Sequence, residues 1–274
     1  MAIMEAMRFI DSHFHGLGMA ARGIELGRLF GDLEGLGFAG GLDIGTRCDD
    51  LEKRIETIRP LSDKVLFTLG SGPWALQADA DENEGKPIFS IDRIMEILKE
   101  SLRLNPCSIG EIGLDYHWDY GTREQQRELL ERQLDLAYEN ALPVVIHCRD
   151  AMEDTLSILS AHKARGIIHC YSGSPSQALE LQRQGWMISF AGNLTYPKAR
   201  SLEESLACLD LSSILIETDA PYLAPQAYRG QVNSPLLILE TYRKAAAIKA
   251  ISVEKMGEIA TGNFERLLGL SKEP

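Results

Sequence analysis

The length, composition and charge of the chain exclude several classes of protein. Its 274 residues, 45% apolar and 25% charged, suit one large globular domain, and no run approaches the roughly 18 apolar residues that cross a membrane. The formal net charge of −12 argues against tight binding along a nucleic acid duplex, which depends on many Lys and Arg contacts to phosphate. Binding of a nucleic acid strand end or of a small phosphate-bearing substrate is not excluded, because bound divalent cations can supply positive charge locally.

The first residues and the cysteines bear on the cellular compartment. The opening MAIMEAMRF has neither a basic start with an apolar run nor a small-residue cleavage site, so we expect a cytoplasmic protein without a membrane partner. The five cysteines are an odd number without a C-x-x-C pair, which is typical of reduced thiols.

Eight short apolar runs, each bounded by Gly, Pro or Asn, predict buried parallel strands. They cover residues 7–11, 38–45, 64–70, 107–113, 143–147, 166–170, 186–190 and 213–219. The acidic segment 77–86 predicts a loop after the third strand.

The segments between these runs have helical periodicity. They predict helices over 22–36, 50–59, 90–104, 122–140, 151–163, 175–184, 197–208, 234–249 and 252–268. The helix over 122–140 is the clearest, because Thr122 and Gln125 have the spacing of a capping box. Strands alternating with helices predict an α/β fold of the (β/α)8 TIM barrel type, one domain over residues 1–274. A doubly wound open sheet is the alternative, since the pattern does not show closure.

Polar residues of metal-ligand type follow these strands. They are His13 and His15 after the first strand, Glu111 at the fourth, His147 at the fifth, His169 at the sixth and Asp219 at the eighth. A barrel builds its active site at the carboxyl ends of its strands, so we expect these side chains to meet there. Residues two apart on a strand share a face, so His13 and His15 can bind one ion together while Phe14 points into packing. The pattern predicts a metal site.

Other residues of the same types lie off this pattern. Cys148 and Cys170 each follow a predicted ligand, so alternation turns their thiols toward the helices and predicts core packing. His162 is predicted to be a surface residue, and His117 to line the mouth of the site.

Six motifs in chain order resemble those of the TatD-related metal-dependent hydrolases, a branch of the amidohydrolase superfamily. They are DSHFH, IGEIGLDYHWD, VVIHCRDA, IIHCYSGS, IETDAPYLAP and YRGQVNSP, from residue 9 to about 235. The resemblance implies a barrel with a two-metal centre and, as in many members, a deoxyribonuclease that trims DNA from the 3′ end.

The resemblance also implies roles for the ligand-type residues. His13, His15 and Asp219 would hold one metal, His147 and His169 the second, and Glu111 would bridge the two. Such bridging places two cations about 3.5 to 4 Å apart, where they activate a water. Asp219 would be the catalytic residue that orients this water and takes its proton. Four imidazoles favour zinc, manganese or iron, and the carboxylates leave magnesium open.

The chain departs from the family pattern at two places. After the third strand it has GSGPW, where Trp74 follows Gly72 and Pro73, instead of the usual His-Pro pair, and Gly16 stands where leucine is common. These departures concern substrate handling, since all six ligand positions are kept.

Candidate substrate-binding residues are two arginines and several aromatics. Arg149 lies two residues after His147 and is a candidate phosphate clamp; the alternative is a surface ion pair with Asp150 or Glu153. Arg229 belongs to the YRGQVN motif. The aromatics that could stack on a base are Tyr116, Trp118, Trp74 and Tyr222.

We therefore expect a divalent-metal-dependent hydrolase acting on phosphodiesters of nucleic acid ends or single-stranded DNA. One alternative is a bimetal hydrolase of small esters, amides or lactones, since the same kind of barrel hosts these reactions. The other is a metal-containing binding protein without catalysis. Such a protein is expected to lack a ligand or the final aspartate, and neither is missing here.

Overall fold

A computed structural model describes residues 7–77 and 89–270 of the chain. Its strands are β1 Phe9–Phe14, β2 Phe38–Asp43, β3 Val65–Leu69, β4 Ser108–Asp115, β5 Val144–Arg149, β6 Gly166–Ile168, β7 Met187–Phe190 and β8 Ile214–Ile216. Nearly every strand residue is buried. This explains why the strands appear in the sequence as continuous apolar runs, as strands covered on both faces do. The predicted acidic loop over 77–86 lies, apart from Gln77, outside the described residues.

The eight strands are parallel and hydrogen-bonded in chain order, β1 next to β2 and so on to β8. The segment after β8 then returns to β1: the Asp219 amide donates to the His13 carbonyl at 2.9 Å, and the His15 amide donates to the Ala220 carbonyl at 2.8 Å. Because the first and last strands meet, the predicted (β/α)8 barrel is confirmed and the open doubly wound sheet is excluded.

Helices surround this barrel. They are α1 Gly16–Ala20, α2 Leu26–Gly35, α3 Leu51–Ile58, α4 Ile91–Ser101, α5 Arg123–Glu139, α6 Met152–Ala161, α7 Pro175–Arg183, α8 Arg200–Cys208, α9 Ile238–Ile248 and α10 Val253–Leu268. None of these described helices is both long and apolar enough to cross a bilayer.

Helix starts follow local capping chemistry. The capping box of Thr122 and Gln125 at the start of α5 is present as predicted. The helix predicted from residue 22 begins instead at Leu26, because the Glu25 carboxylate accepts from the amides of Gly27 and Arg28 and caps the helix there.

The strand ends differ from the prediction in a way that matters for the site. The first strand continues to Phe14 rather than 11, and the fifth to Arg149 rather than 147, so His13 and His147 lie inside strands. Glu111 lies in the middle of β4 rather than at its end, at a register irregularity between Gly110 and Ile112. At this irregularity the Glu111 amide leaves the ladder with β5 and donates to the Gly45 carbonyl at 2.6 Å.

Candidate metal centre

The two histidines of β1 point the same way. Their Nε2 atoms are 3.2 Å apart, and their rings are inclined at 80°. Between them Phe14 is fully buried and packs on Phe30, with ring centroids 6.3 Å apart, as strand alternation requires. Two imidazole nitrogens therefore face one point at the top of the barrel.

Asp219 completes this first cluster. The bond of its amide to β1 brings its Oδ1 to 3.6 Å from Nε2 of His13 and 3.4 Å from Nε2 of His15. The donor atoms of these three residues all lie within 4.8 Å of one another. The closure of the barrel therefore joins residues from the first strand to a residue that follows the last strand.

A second cluster lies beside the first. Nδ1 of His147 and Nε2 of His169 are 3.3 Å apart. Oε1 of Glu111 lies 2.8 Å from the first and 2.9 Å from the second of these nitrogens. These three donors also lie within 4.8 Å of one another.

Glu111 is shared between the clusters. Its Oε1 faces His147 and His169, whereas its Oε2 lies 3.5 Å from Nε2 of His13 and 3.9 Å from Nε2 of His15. One carboxylate thus presents one oxygen to each cluster. This is the arrangement that a bridging ligand requires.

The donor set fits metal ions. A tetrahedral ion with metal–nitrogen bonds of 2.0–2.1 Å needs its nitrogen ligands about 3.3 Å apart, and the two histidine pairs are spaced at 3.2 Å and 3.3 Å. Imidazole and carboxylate groups in a buried site are typical ligands of zinc and other transition ions.

Two further carboxylates lie behind the histidines, and the sequence analysis missed both. Oδ2 of Asp115 lies 3.2 Å from Nε2 of His147, and Oε1 of Glu217 lies 3.3 Å from Nδ1 of His169. The Asp115 contact is a hydrogen bond, which fixes the orientation and tautomer of a ligating histidine, whereas Glu217 faces a His169 Nδ1 that has no hydrogen-bond partner within the described residues. Strand spacing could have found Asp115, which lies four residues after Glu111 in β4 and so shares its face. Glu217 follows the end of β8, where strand alternation no longer applies.

The charges of the site keep Glu111 ionised. Burial by itself would raise the pKa of its carboxyl, but the surrounding imidazoles of His169, His13 and His147 hold that pKa well below its usual value. Conversely, burial acts to lower the pKa of His169, and the facing Glu111 and Glu217 raise it well above its usual value. Negative charge is therefore retained between the imidazoles, where cations would bind.

A cavity of about 530 Å³ opens above the two clusters. Its walls include Arg149 and four aromatic residues, Trp74, Trp118, Tyr120 and Tyr222. Trp74 is held in place by a 2.7 Å hydrogen bond from its Nε1 to the Thr46 carbonyl, and its ring lies edge-on to His147 at 5.5 Å. The residue that departs from the family pattern thus forms part of the cavity wall beside the second cluster.

The structure separates the two candidate arginines. Arg149 lines the cavity, and its guanidinium lies 5.6 Å from the Trp118 ring centroid. Within the described residues it forms no ion pair with Asp150, which instead lies 3.1 Å from Nδ1 of His117. Arg229 is not among the residues that line this cavity, and its guanidinium lies over Tyr196 at 4.4 Å.

The remaining predicted residues also have defined positions. Nδ1 of His117 lies 3.1 Å from Asp150, and its ring packs edge-on against Trp118 at 4.9 Å, although His117 is not among the residues that line the cavity; its place at the mouth stays a prediction. His162 is half-buried at the end of α6, where its Nδ1 lies 2.8 Å from the Ile158 carbonyl, and it belongs to neither donor cluster. Cys148 is buried and accepts a hydrogen bond from Thr155 of α6 at 3.3 Å. It thus faces the helices, as predicted.

A closed (β/α)8 barrel with histidines and carboxylates gathered at the carboxyl ends of its strands defines a metal-dependent hydrolase. The family model described as "TatD related DNase" matches residues 10–269, and the chain belongs to this TatD family.

Relatives agree with this assignment. The chain is 36% identical over 192 residues to the uncharacterized metal-dependent hydrolase YabD of Bacillus subtilis (strain 168), covering 68% of this chain and 75% of YabD. It is 32% identical over 208 residues to YcfH of Escherichia coli (strain K12), also an uncharacterized metal-dependent hydrolase, covering 75% and 74% of the two chains. The crystal structure of the TatD homologue YjjV of Escherichia coli K12 superposes with a TM-score of 0.83 at 26% identity, over 97% of this chain and 100% of YjjV.

Proposed function

We propose that this protein is a two-metal phosphodiesterase that removes nucleotides from the 3′ end of DNA. The observation that carries the proposal is the position of Glu111, which presents Oε1 to His147 and His169 and Oε2 to His13 and His15. Bound ions, whether zinc, manganese, iron or magnesium, would activate a water and neutralise charge on the phosphate. The DNase named in the family description and the 3′ direction implied by the motifs support the choice of substrate.

Asp219 is the residue best placed to manage the proton of the attacking water. Burial by itself would raise the pKa of its carboxyl, but His15, His13 and His169 hold the pKa below its usual value, so the group is anionic at neutral pH. An anionic carboxylate at the edge of the first cluster can orient a water and accept its proton. We therefore assign Asp219 both a ligand and a proton-transfer role.

The shape of the cavity and the net charge of the protein support a preference for the ends of DNA strands. The clusters lie at the bottom of a cavity of about 530 Å³, which a strand end can enter. The net charge of −12 repels a long polyanion away from the metal site. Within the cavity Arg149 supplies a positive charge that can contact the phosphate.

One observation favours a second candidate function, the hydrolysis of small esters, amides or lactones. Trp74 forms an aromatic wall of the cavity beside His147, where the family usually has a His-Pro pair. An aromatic wall suits a small substrate with an apolar part. The third candidate, a metal-containing binding protein, predicts metal binding without turnover of any substrate.

A substrate panel distinguishes these candidates. The chelated protein is reconstituted separately with Zn²⁺, Mn²⁺, Fe²⁺ and Mg²⁺, and its metal content is measured by elemental analysis. It is then assayed on 3′-labelled and 5′-labelled single-stranded DNA, closed circular duplex, a simple phosphodiester, a carboxylic ester, an amide and a lactone.

The proposal expects about two ions per chain and stepwise release of nucleotides from the 3′ end, with little cleavage of closed circles. Turnover of the ester, amide or lactone alone would establish the second candidate, and metal binding without any turnover the third. Equally fast cleavage of closed circular duplex would contradict the end preference.

A further inference from the structure

Two aromatic rings at the mouth of the cavity remain largely exposed. Trp118 is 53% and Tyr222 50% exposed, although both line the cavity above the metal clusters. Their neighbours behave differently: the Trp74 indole donates to Thr46, and the Tyr116 hydroxyl donates to Asp154 at 2.7 Å. Within the described residues, the side chains of Trp118 and Tyr222 make no hydrogen bond. Large rings left open to a site are available to a ligand.

Each of these rings carries an arginine on its face. The guanidinium of Arg149 lies 5.6 Å from the Trp118 centroid, and that of Arg22 lies 4.5 Å from the Tyr222 centroid. An arginine in this position covers one face of the ring and adds a positive charge. Two rings of the cavity wall therefore each have an arginine on one face, of which Arg149 also lines the cavity.

Each ring–arginine pair lies next to a different metal cluster. Tyr222 lies edge-on to His15 of the first cluster, with centroids 6.0 Å apart. Trp118 is connected to the second cluster through Asp115. Oδ1 of Asp115 accepts from the Trp118 amide at 3.2 Å, and Oδ2 of the same carboxylate faces His147. A group bound between the clusters thus has one ring–arginine pair on each side.

We propose that these two pairs, Trp118 with Arg149 and Tyr222 with Arg22, are stacking subsites for the two bases that flank the scissile phosphate. This inference rests on the proposed phosphodiesterase function and names its minimal substrate, a dinucleotide unit with unpaired bases. Unstacked bases bind aromatic faces and guanidinium planes largely without regard to sequence. Bases paired in a duplex cannot bind in this way, which adds a reason for a single-strand preference that is independent of net charge.

The test measures binding rather than turnover. The probe is a dithymidine analogue in which methylene groups replace both bridging oxygens of the phosphate, so that it keeps the charge and cannot be cleaved. Two further probes lack the 5′ base or the 3′ base on the same backbone. Affinities for the metal-reconstituted protein are measured by calorimetry, with Trp118→Leu and Tyr222→Leu beside the wild type.

We expect removal of either base to weaken binding to the wild type about 5- to 150-fold, the range of base–aromatic stacking. Each variant should lose its sensitivity to one base and keep its sensitivity to the other, with opposite assignments in the two variants. The control is Tyr138→Leu, which removes a ring of 58% exposure on α5 outside the cavity lining and should behave as wild type. The same three affinities are measured for Arg22→Gln, which keeps the Tyr222 ring and removes its arginine. This variant should weaken the same base contact as Tyr222→Leu.

The inference is overturned if base removal leaves the affinity of the wild type unchanged, or if both variants keep the wild-type dependence on both bases. Its failure differs from failure of the proposed function. A protein that hydrolyses simple phosphodiesters and dinucleotides but ignores the bases lacks only the stacking subsites. A protein that hydrolyses no phosphodiester with any metal lacks the proposed function itself.

Discussion

Nε2 of His147 lies 3.2 Å from Oδ2 of Asp115, so the other ring nitrogen, Nδ1, is the one turned toward Glu111. The remaining oxygen of Asp115 accepts from the amides of His117 and Trp118 at 2.9 Å and 3.2 Å. One carboxylate therefore orients a candidate metal ligand and shapes the loop that carries a candidate substrate contact.

Replacing Asp115 by Asn tests this relationship. The amide can still accept from the loop through its oxygen, but it places an NH2 group against His147 and no longer holds the histidine tautomer. We expect Asp115→Asn to lower the affinity of one ion by about 10- to 100-fold and to leave the other ion bound. Metal titration of the chelated protein measures both affinities.

Asp119→Asn is the control, because this nearby aspartate is not part of either donor cluster. Unchanged affinities for both ions in Asp115→Asn would show that His147 is oriented by its strand alone.

Replacing Asp219 by Asn tests its proton-transfer role. Asn keeps the size and one coordinating oxygen but cannot accept the proton of a water. We expect Asp219→Asn to retain both ions, or to lose only some affinity at the first cluster, while turnover at saturating substrate falls by roughly 10² to 10⁴. Metal content and turnover are measured on the same samples.

His147→Ala is the comparison, since it should empty the second cluster and recover part of its activity when metal is added. Near-normal turnover of Asp219→Asn with both ions bound would remove Asp219 from the proton pathway.

The two candidate arginines form a matched pair of variants. Both are exposed and lie over an aromatic ring, but only Arg149 lines the cavity. We expect Arg149→Ala to raise the KM for single-stranded DNA by about 10- to 100-fold, the range for one hydrogen bond to a charged group. Arg229→Ala should leave KM unchanged. Steady-state kinetics on both variants measures this, and equal effects would mean that Arg149 has no special contact with the substrate.

A buried ion pair below the site gives a prediction on stability. Arg54 is 2% exposed and its guanidinium donates to the Asp43 carboxylate at 2.8 Å, while the other Asp43 oxygen accepts from the Gly16 amide at 2.7 Å. The Arg54 Nε also donates to the Asp50 carboxylate at 2.8 Å, so removing the arginine leaves two carboxylates without their ion pair, of which Asp43 is fully buried. We expect Arg54→Met to lower the free energy of unfolding by about 3 to 5 kcal/mol in urea denaturation.

Two comparisons show whether the unpaired charge is the cause. The double variant Arg54→Met with Asp43→Asn should recover part of the loss, because the fully buried charge of Asp43 is gone and only that of Asp50 is left unpaired. Arg59→Met, at an exposed arginine over Phe67, should cost far less. A double variant that is less stable than Arg54→Met would argue against the explanation.

Local patterns were enough to predict much of the fold. Strand and helix periodicity depend on neighbouring residues, so the eight strands and the α5 capping box are visible in the sequence. The shared face of His13 and His15 is equally local, since side chains two apart on a strand point the same way. The predicted ends of the β-strands were less accurate, because a strand ends where its pairing with neighbouring strands ends.

Tertiary structure decided the rest. Only closure of the barrel brings Asp219 against His13, across about two hundred residues, through the bond between the Asp219 amide and the His13 carbonyl. The register irregularity in β4 and the packing around it determine which Glu111 oxygen faces which histidines. The sequence does not distinguish Arg149 from Arg229 as a phosphate contact. Only their positions around the barrel show that Arg149 lines the cavity and Arg229 does not. The sequence by itself determined which donor groups the chain carries and on which strand faces they lie, because that periodicity is a property of the local backbone. Their convergence on two clusters needed long-range strand pairing, which no local pattern encodes.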